Sequence, residues 1–283
     1  MAGVLRNLLL GPVLAWALAA CVTPAPAPEA AAANLLEQAL VAEGIDPAAA
    51  AFVVYRIEDE KTWMSGGARV FERFTPASTS KVAHTLLALE TGAVSGPDER
   101  FTWDGTKRRV EGWNEDQDFA AAFQRSTVWI YQIAVPKIGA ETLKAGFAAF
   151  GYGNGDIGGP EQITRYWLDG PLAISAAEQV AFLSRLARRT LPLSARTYAL
   201  GVPMMEVARG EGWVMYAKTG WKSVPGETEI GWYVGWIEQT AGPAPGTYVF
   251  ALNMDMDGTM DDANRRRPAV QRGLEMIGAL APG

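Results

Sequence analysis

The chain has 283 residues, 49% apolar and 20% charged, an ordinary globular composition with room for one large domain. Acidic residues outnumber basic ones 31 to 25, a net charge of −6 that argues against a nucleic-acid partner. It holds one His and one Cys, so counting excludes a multi-histidine zinc site and an internal disulfide.

The first element is an address. Arg6 precedes an apolar run from Leu8 to Ala20, too short for a comfortable membrane span and patterned as a secretory signal. Leu18-Ala19-Ala20-Cys21 then resembles a bacterial lipobox, with residues 1–20 as signal peptide and Cys21 as the site of lipidation. Cleavage there implies an exported, lipid-anchored protein on the periplasmic side, with the outer membrane as the expected address and the lipid as its only membrane contact. Residues 21–33 read as a Pro/Ala tether and 34–283 as a single domain.

Within the domain, Asn34–Glu43 fits a short amphipathic helix ended by Gly44, and Ala51–Ile57 a strand. Lys61–Phe74 reads as a second strand region turning at Gly66-Gly67. Pro76-Ala77-Ser78 opens a helix running to about Glu90. Glu115–Phe150 has helical periodicity with interruptions at Pro136 and Gly139, and the Gly-rich stretch 151–171 fits a structured loop. Ser175 starts another helix, with Glu178 three residues on as a capping box. Strands are expected over Trp213–Lys218, Ile230–Glu238 and Thr247–Met254, and a last helix over Pro268–Leu280. This order predicts an α/β chain of the α+β type, with one antiparallel sheet assembled from both ends of the domain and a helical lobe inserted between.

The chemistry starts at Ser78-Thr79-Ser80-Lys81. Residues three apart share a helical face, so the Ser78 hydroxyl and the Lys81 amine can meet. Serine needs a base to act as a nucleophile. The only imidazole, His84, is six residues on and about 120° round the helix, so it faces elsewhere and a Ser-His-Asp triad is disfavoured. Lys81 is left as the local base, provided its surroundings are dry enough to lower its pKa. Lys218-Thr219-Gly220 ends a strand, and Ser126-Thr127-Val128 lies between the two motifs in the order that penicillin-recognising enzymes use.

With these pieces the chain resembles the class D (oxacillinase-type) serine β-lactamases from about Ala51 to Ile277. The resemblance is carried by PASTSK (76–81), LLALETGAV (86–94), STVW (126–129), YGN (152–154), RYWLDGPLAIS (165–175), KTGW (218–221), GWYVGW (231–236) and FALNMDMD (250–257). It implies the penicillin-binding transpeptidase-like fold, β-lactam antibiotics as substrates, and Ser78 as the acyl-forming nucleophile. It implies that Lys81 is carboxylated by carbon dioxide or bicarbonate and then serves as general base, with no metal. Trp167 would bond the carbamate, and Val128 and Leu168 would wall it. Ser126 would relay a proton to the lactam nitrogen under the hold of Lys218. The backbone N–H groups of Ser78 and Trp221 would form the oxyanion hole, with Thr219 and Gly220 along the substrate. Arg265 would anchor the substrate carboxylate, with Arg266 as the alternative.

One residue departs from the family. An aromatic is usual where this chain has Ser80, so Lys81 is expected in a more polar or looser setting and its carbamate to be more easily lost. Tyr152 and His84 read as structural, Trp232 and Trp236 as core, and Trp103, Trp113 and Trp129 as possible cleft walls. A β-lactam sensor that stays acylated and a D,D-peptidase share the motifs. YGN and the RYWLDG loop disfavour the peptidase, and the lack of a later apolar span disfavours a multi-span sensor. Monomer and homodimer are both compatible with the sequence.

Overall fold

A computed structural model of the protein describes residues 28–241 and 244–281. The signal segment, Cys21 and the tether before Pro28 lie outside the described residues. The elements in chain order are α1 (Pro28–Ala42), β1 (Ala50–Arg56), β2 (Thr62–Ser65), α2 (Lys81–Thr91), β3 (Arg100–Phe101), β4 (Gln117–Asp118), α3 (Phe119–Gln124), α4 (Val128–Ile138), α5 (Ala140–Phe150), α6 (Ala176–Ala187), α7 (Ala195–Gly201), β5 (Glu206–Gly210), β6 (Trp213–Lys222), β7 (Glu229–Gln239), β8 (Gly246–Met256) and α8 (Met260–Met276).

Six strands form one antiparallel sheet in the order β2-β1-β8-β7-β6-β5, so both ends of the domain do build it, with the helices α2 to α7 in between. Alternation along the central strands divides the core in two. On β7, Trp232, Val234 and Trp236 face the helical lobe while Tyr233 and Ile237 face the other way. On β8, Val249 and Ala251 share the lobe side, and Phe250, Leu252 and Met254 pack toward α1 and α8. Helix α2 runs through the lobe against α4, α5 and α7, and its residues Lys81 to Leu89 are all buried.

The structure shifts several expected boundaries. α1 starts at Pro28 and so takes in the last six residues read as tether; an Ala run is strongly helix-favouring, and Pro is tolerated in a first turn. The second strand region is a strand only over Thr62–Ser65, followed by a 3-10 turn at Gly67–Phe71. The span 115–150 breaks into β4, α3, α4 and α5. The expected helix over Pro76–Glu90 opens as a 3-10 turn, Ala77–Ser80, and becomes α-helical at Lys81. α8 begins at Met260, not Pro268: Thr259 accepts from the Asp262 N–H, and Asp261 and Asp262 complement the helix N-terminus. The capping box of Ser175 and Glu178 is present at the start of α6.

Candidate active site

The site lies where the 3-10 turn Ala77–Ser80 packs on β6. The approach is close because β6 carries glycine there: a Cβ on Gly220 would stand 2.8 Å from the Pro76 carbonyl oxygen and 3.0 Å from Thr79 Cγ2. The turn is strained at Ala77, whose φ is 48°, a left-handed value that non-glycine residues adopt at a cost. Thr79 secures it by donating to the Pro76 carbonyl and accepting from Gln179 on α6. Ser126 on the facing lobe has φ of 60°, so both serines of the site sit at or beside left-handed backbone.

Lys81 is fully buried and its side-chain nitrogen is 2.8 Å from Ser78 Oγ. Across the cleft, Lys218 Nζ is 2.9 Å from Ser126 Oγ and 3.2 Å from the Thr219 carbonyl. Among the described residues no carboxylate pairs with either lysine. Burial, and then the Lys218 charge, hold the Lys81 amine well below its ordinary value. Burial, and then Arg267 and Arg266, bring Lys218 down to about 7. A neutral amine at hydrogen-bond distance from a hydroxyl is the arrangement that general-base activation of a serine requires.

These residues surround a cleft of about 580 Å³. Ser78, Ser126, Val128, Leu168, Thr219, Gly220 and Trp221 all line it, as the sequence places them together. Trp167 is fully buried beside Leu168, and its indole N–H has no partner among the described residues. Lys81 Nζ is 5.0 Å from the Tyr131 ring centroid, so its pocket is walled by aromatic surface. Ser80 is buried with its hydroxyl turned back to donate to the Ala77 carbonyl at 2.7 Å, so the turn itself takes up the polarity that replaces the family's aromatic.

The carboxylate-anchor assignment needs correction. Arg265 points out of the cleft, toward the Gly44 carbonyl and Asp262, and is exposed. Arg266 lines the cleft, buried, with its guanidinium donating to the carbonyls of Ala263, Gly220 and Trp232. The reason is helical register: successive residues on α8 are about 100° apart, and of the two candidates Arg266, not Arg265, faces the cleft side of β6 and β7. Burial, and then Arg267, lower Arg266 to about 10, so it stays a cation at neutral pH.

Of the three cleft-wall tryptophans, only Trp113 lines it. Trp129 is buried and donates to the Trp113 carbonyl, and Trp103 donates to the Thr106 carbonyl. Tyr152 packs in the core between Phe147 and Phe182. His84 does not bond Ser78; its Nε2 is 2.6 Å from the Tyr166 hydroxyl. Arg109, Val110, Ser223, Gly258 and Met260 also line the cleft and were not singled out in the sequence. The one available signal was the run Lys107-Arg108-Arg109 in an acidic chain.

Among the described residues no cluster of His, Cys, Asp and Glu is fit to hold a metal ion. A penicillin binding protein transpeptidase domain model matches residues 55–274. β-Lactamase OXA-3 of Pseudomonas aeruginosa is 42% identical over 212 residues, 75% of this chain and 73% of that protein. The solved class D β-lactamase YbXI from Nostoc superposes with a TM-score of 0.81 at 39% identity, covering 87% of this chain and 99% of that one. FUS-1 (OXA-85), a class D β-lactamase from Fusobacterium nucleatum subsp. polymorphum, gives 0.80 at 30% identity, covering 87% and 98%. The turn-borne Ser78, its buried lysine and this extent of shared sequence and fold lead to one assignment: the chain belongs to the penicillin-binding transpeptidase family and, within it, to the class D β-lactamases.

Proposed function

We propose that the protein hydrolyses the β-lactam ring of penicillin-type antibiotics through an acyl-enzyme on Ser78. The observation that carries this reading is the buried Lys81 amine 2.8 Å from Ser78 Oγ, at the edge of a cleft lined also by Arg266 and by Ser126, which Lys218 bonds from behind. In acylation, Ser78 Oγ bonds the lactam carbonyl carbon and gives up its proton toward Lys81. The carbon–nitrogen bond of the ring breaks, and Ser126 donates its proton to the leaving nitrogen while Lys218 resupplies it. A Lys218 that titrates near 7 can give and take that proton at neutral pH. The backbone N–H groups of Ser78 and Trp221 stabilise the oxyanion, and removal of such a donor costs on the order of 100-fold or more. Arg266 meets the substrate carboxylate. Water then cleaves the ester and frees Ser78.

The Lys81 pocket suits carboxylation by carbon dioxide. Burial pushes the amine toward its neutral form, Tyr131 walls it, and the Trp167 N–H, unpartnered among the described residues, is a donor that an anion there could use. Once carboxylated, Lys81 supplies a carboxylate base both for Ser78 and for the hydrolytic water. The Ser80 hydroxyl is satisfied within the turn, but its side chain is smaller than an aromatic and holds Lys81 less tightly, so the carbamate is expected to be lost more readily and turnover to rise with added bicarbonate. An activity indifferent to bicarbonate and retained in Lys81→Ala overturns this part of the reading.

A chromogenic cephalosporin tests the whole. Many turnovers per molecule, lost completely in Ser78→Ala, are the expected result. One stoichiometric burst instead points to a sensor or a D,D-peptidase. Export and lipid attachment at Cys21, on the periplasmic side of a membrane, complete the proposal. The lipobox pattern supports them, and loss of membrane association in Cys21→Ala is the check.

A further inference from the structure

The loop that carries Trp167 has no long element to fix it, so the orientation of the indole depends on what packs around it. His84, Tyr166 and Trp167 form a closed set of edge-to-face rings. The centroids are 4.9 Å apart for His84–Trp167, 4.9 Å for Tyr166–Trp167 and 5.6 Å for His84–Tyr166, at interplanar angles of 69°, 83° and 88°. All three residues are fully buried. Only one hydrogen bond ties the rings together, His84 Nε2 to the Tyr166 hydroxyl at 2.6 Å. His84 is three residues after Lys81 on α2 and therefore on the same face. Its ring also packs on Tyr131, the ring over which Lys81 Nζ lies. Packing by size alone leaves an indole free to tilt, whereas a short buried hydrogen bond gives the set one arrangement.

We infer that His84 is a positioning residue: through its bond to Tyr166 it fixes the tilt of the Trp167 indole, and so sets how firmly a carboxylated Lys81 is held. This rests on the carboxylation reading above. Burial pushes the His84 imidazole well below its ordinary value, so its ring acts by shape and hydrogen bonding and not by charge. The only histidine is thus excluded as the base for Ser78 and given a different task at the same pocket.

The test uses His84→Phe, which keeps a ring and loses the bond, Tyr166→Phe, which removes one oxygen atom, and the double variant. Turnover is followed against bicarbonate concentration, and the carbamate is observed directly by carbon-13 NMR with labelled bicarbonate. Each single variant is expected to raise the half-saturating bicarbonate about tenfold, the scale on which outer-shell partners tune a bound group. The carbamate signal at a fixed low bicarbonate should weaken in parallel. The double variant should be no worse than either single one, and saturating bicarbonate should restore turnover in all three. A general packing defect would not be rescued in this way. Unchanged bicarbonate requirement and signal in Tyr166→Phe overturn the inference and leave the carboxylation reading intact. Absence of a carbamate signal in the wild-type protein overturns both.

Discussion

Ser78 and Ser126 each meet a lysine nitrogen, and neither lysine has an acidic partner among the described residues to justify its burial. Leaving a cation dry and unpaired is costly, so the amines give up protons instead, and that is the property the chemistry uses. The sequence located Ser78 and Lys81 because three residues on one helical face bring them together; Lys218, read as a strand end, instead lies within β6, which runs on to Lys222. Arg266 was not resolved from Arg265, because the choice depends on where α8 begins and Pro268 masked that start. The two arginines now make opposite predictions. Arg266→Ala should raise KM for a penicillin by about 10- to 100-fold, the worth of a charge-assisted hydrogen bond of about 1.5–3 kcal/mol. Arg265→Ala, which removes a contact to Gly44, should leave KM within about twofold. Steady-state kinetics of the two purified variants decides between them, with thermal melts to confirm that Arg266→Ala still folds despite losing bonds to Gly220 and Trp232.

Catalytic geometry at the level of elements depends on how close β6 comes to the 3-10 turn. Gly220→Ala would place a methyl group against a carbonyl oxygen at 2.8 Å, and backbone, not a flexible side chain, would have to move. The expected result is a loss of about 1–3 kcal/mol in stability from overpacking. A fall in kcat of up to about 100-fold should accompany it, because a displacement near 1 Å at the reacting groups is enough for that. Gly96→Ala is the control: nothing lies within 4 Å of the added Cβ, and both quantities should hold. Urea denaturation and single-turnover acylation read the two effects separately. The elements that sequence periodicity missed are the ones with little apolar pattern to read. β5 has the sequence EVARG and is an exposed edge strand, so no buried face announces it. α7 is 7 residues long, too short for helical periodicity to repeat. The long strands β7 and β8, buried on both faces, were legible because apolar residues run along them, Trp, Tyr, Val and Ile on β7 and Tyr, Val, Phe, Leu and Met on β8.

On the scale of the whole molecule, one sheet built from both ends of the described domain packs on the helical lobe, and two lysines with no acidic partner among the described residues are buried beside the cleft, so activity and stability are set against each other. The sign of the pH effect follows from Lys218. Its folded value is about 7 and its ordinary value 10.5, so between these limits the unfolded chain binds a proton that the native protein does not. Stability must then rise with pH across that window, the full cost applying below pH 7 and vanishing toward 10.5. Every pH unit that separates the folded from the unfolded value corresponds to about 1.4 kcal/mol, so the change amounts to several kcal/mol at most. Above about pH 9 the buried tyrosines oppose it. Burial raises Tyr131 and Tyr166, and the native protein then retains protons that the unfolded chain loses. The clean interval is therefore about pH 7 to 9, measured in buffer depleted of carbon dioxide so that Lys81 stays an amine. Over it the urea midpoint of the wild-type protein should climb. Lys218→Met should start higher at pH 7, climb less, and hydrolyse no β-lactam. A variant that is inactive but no more stable at pH 7, with the wild-type slope intact, would mean that the cleft solvates Lys218 well enough to leave it charged.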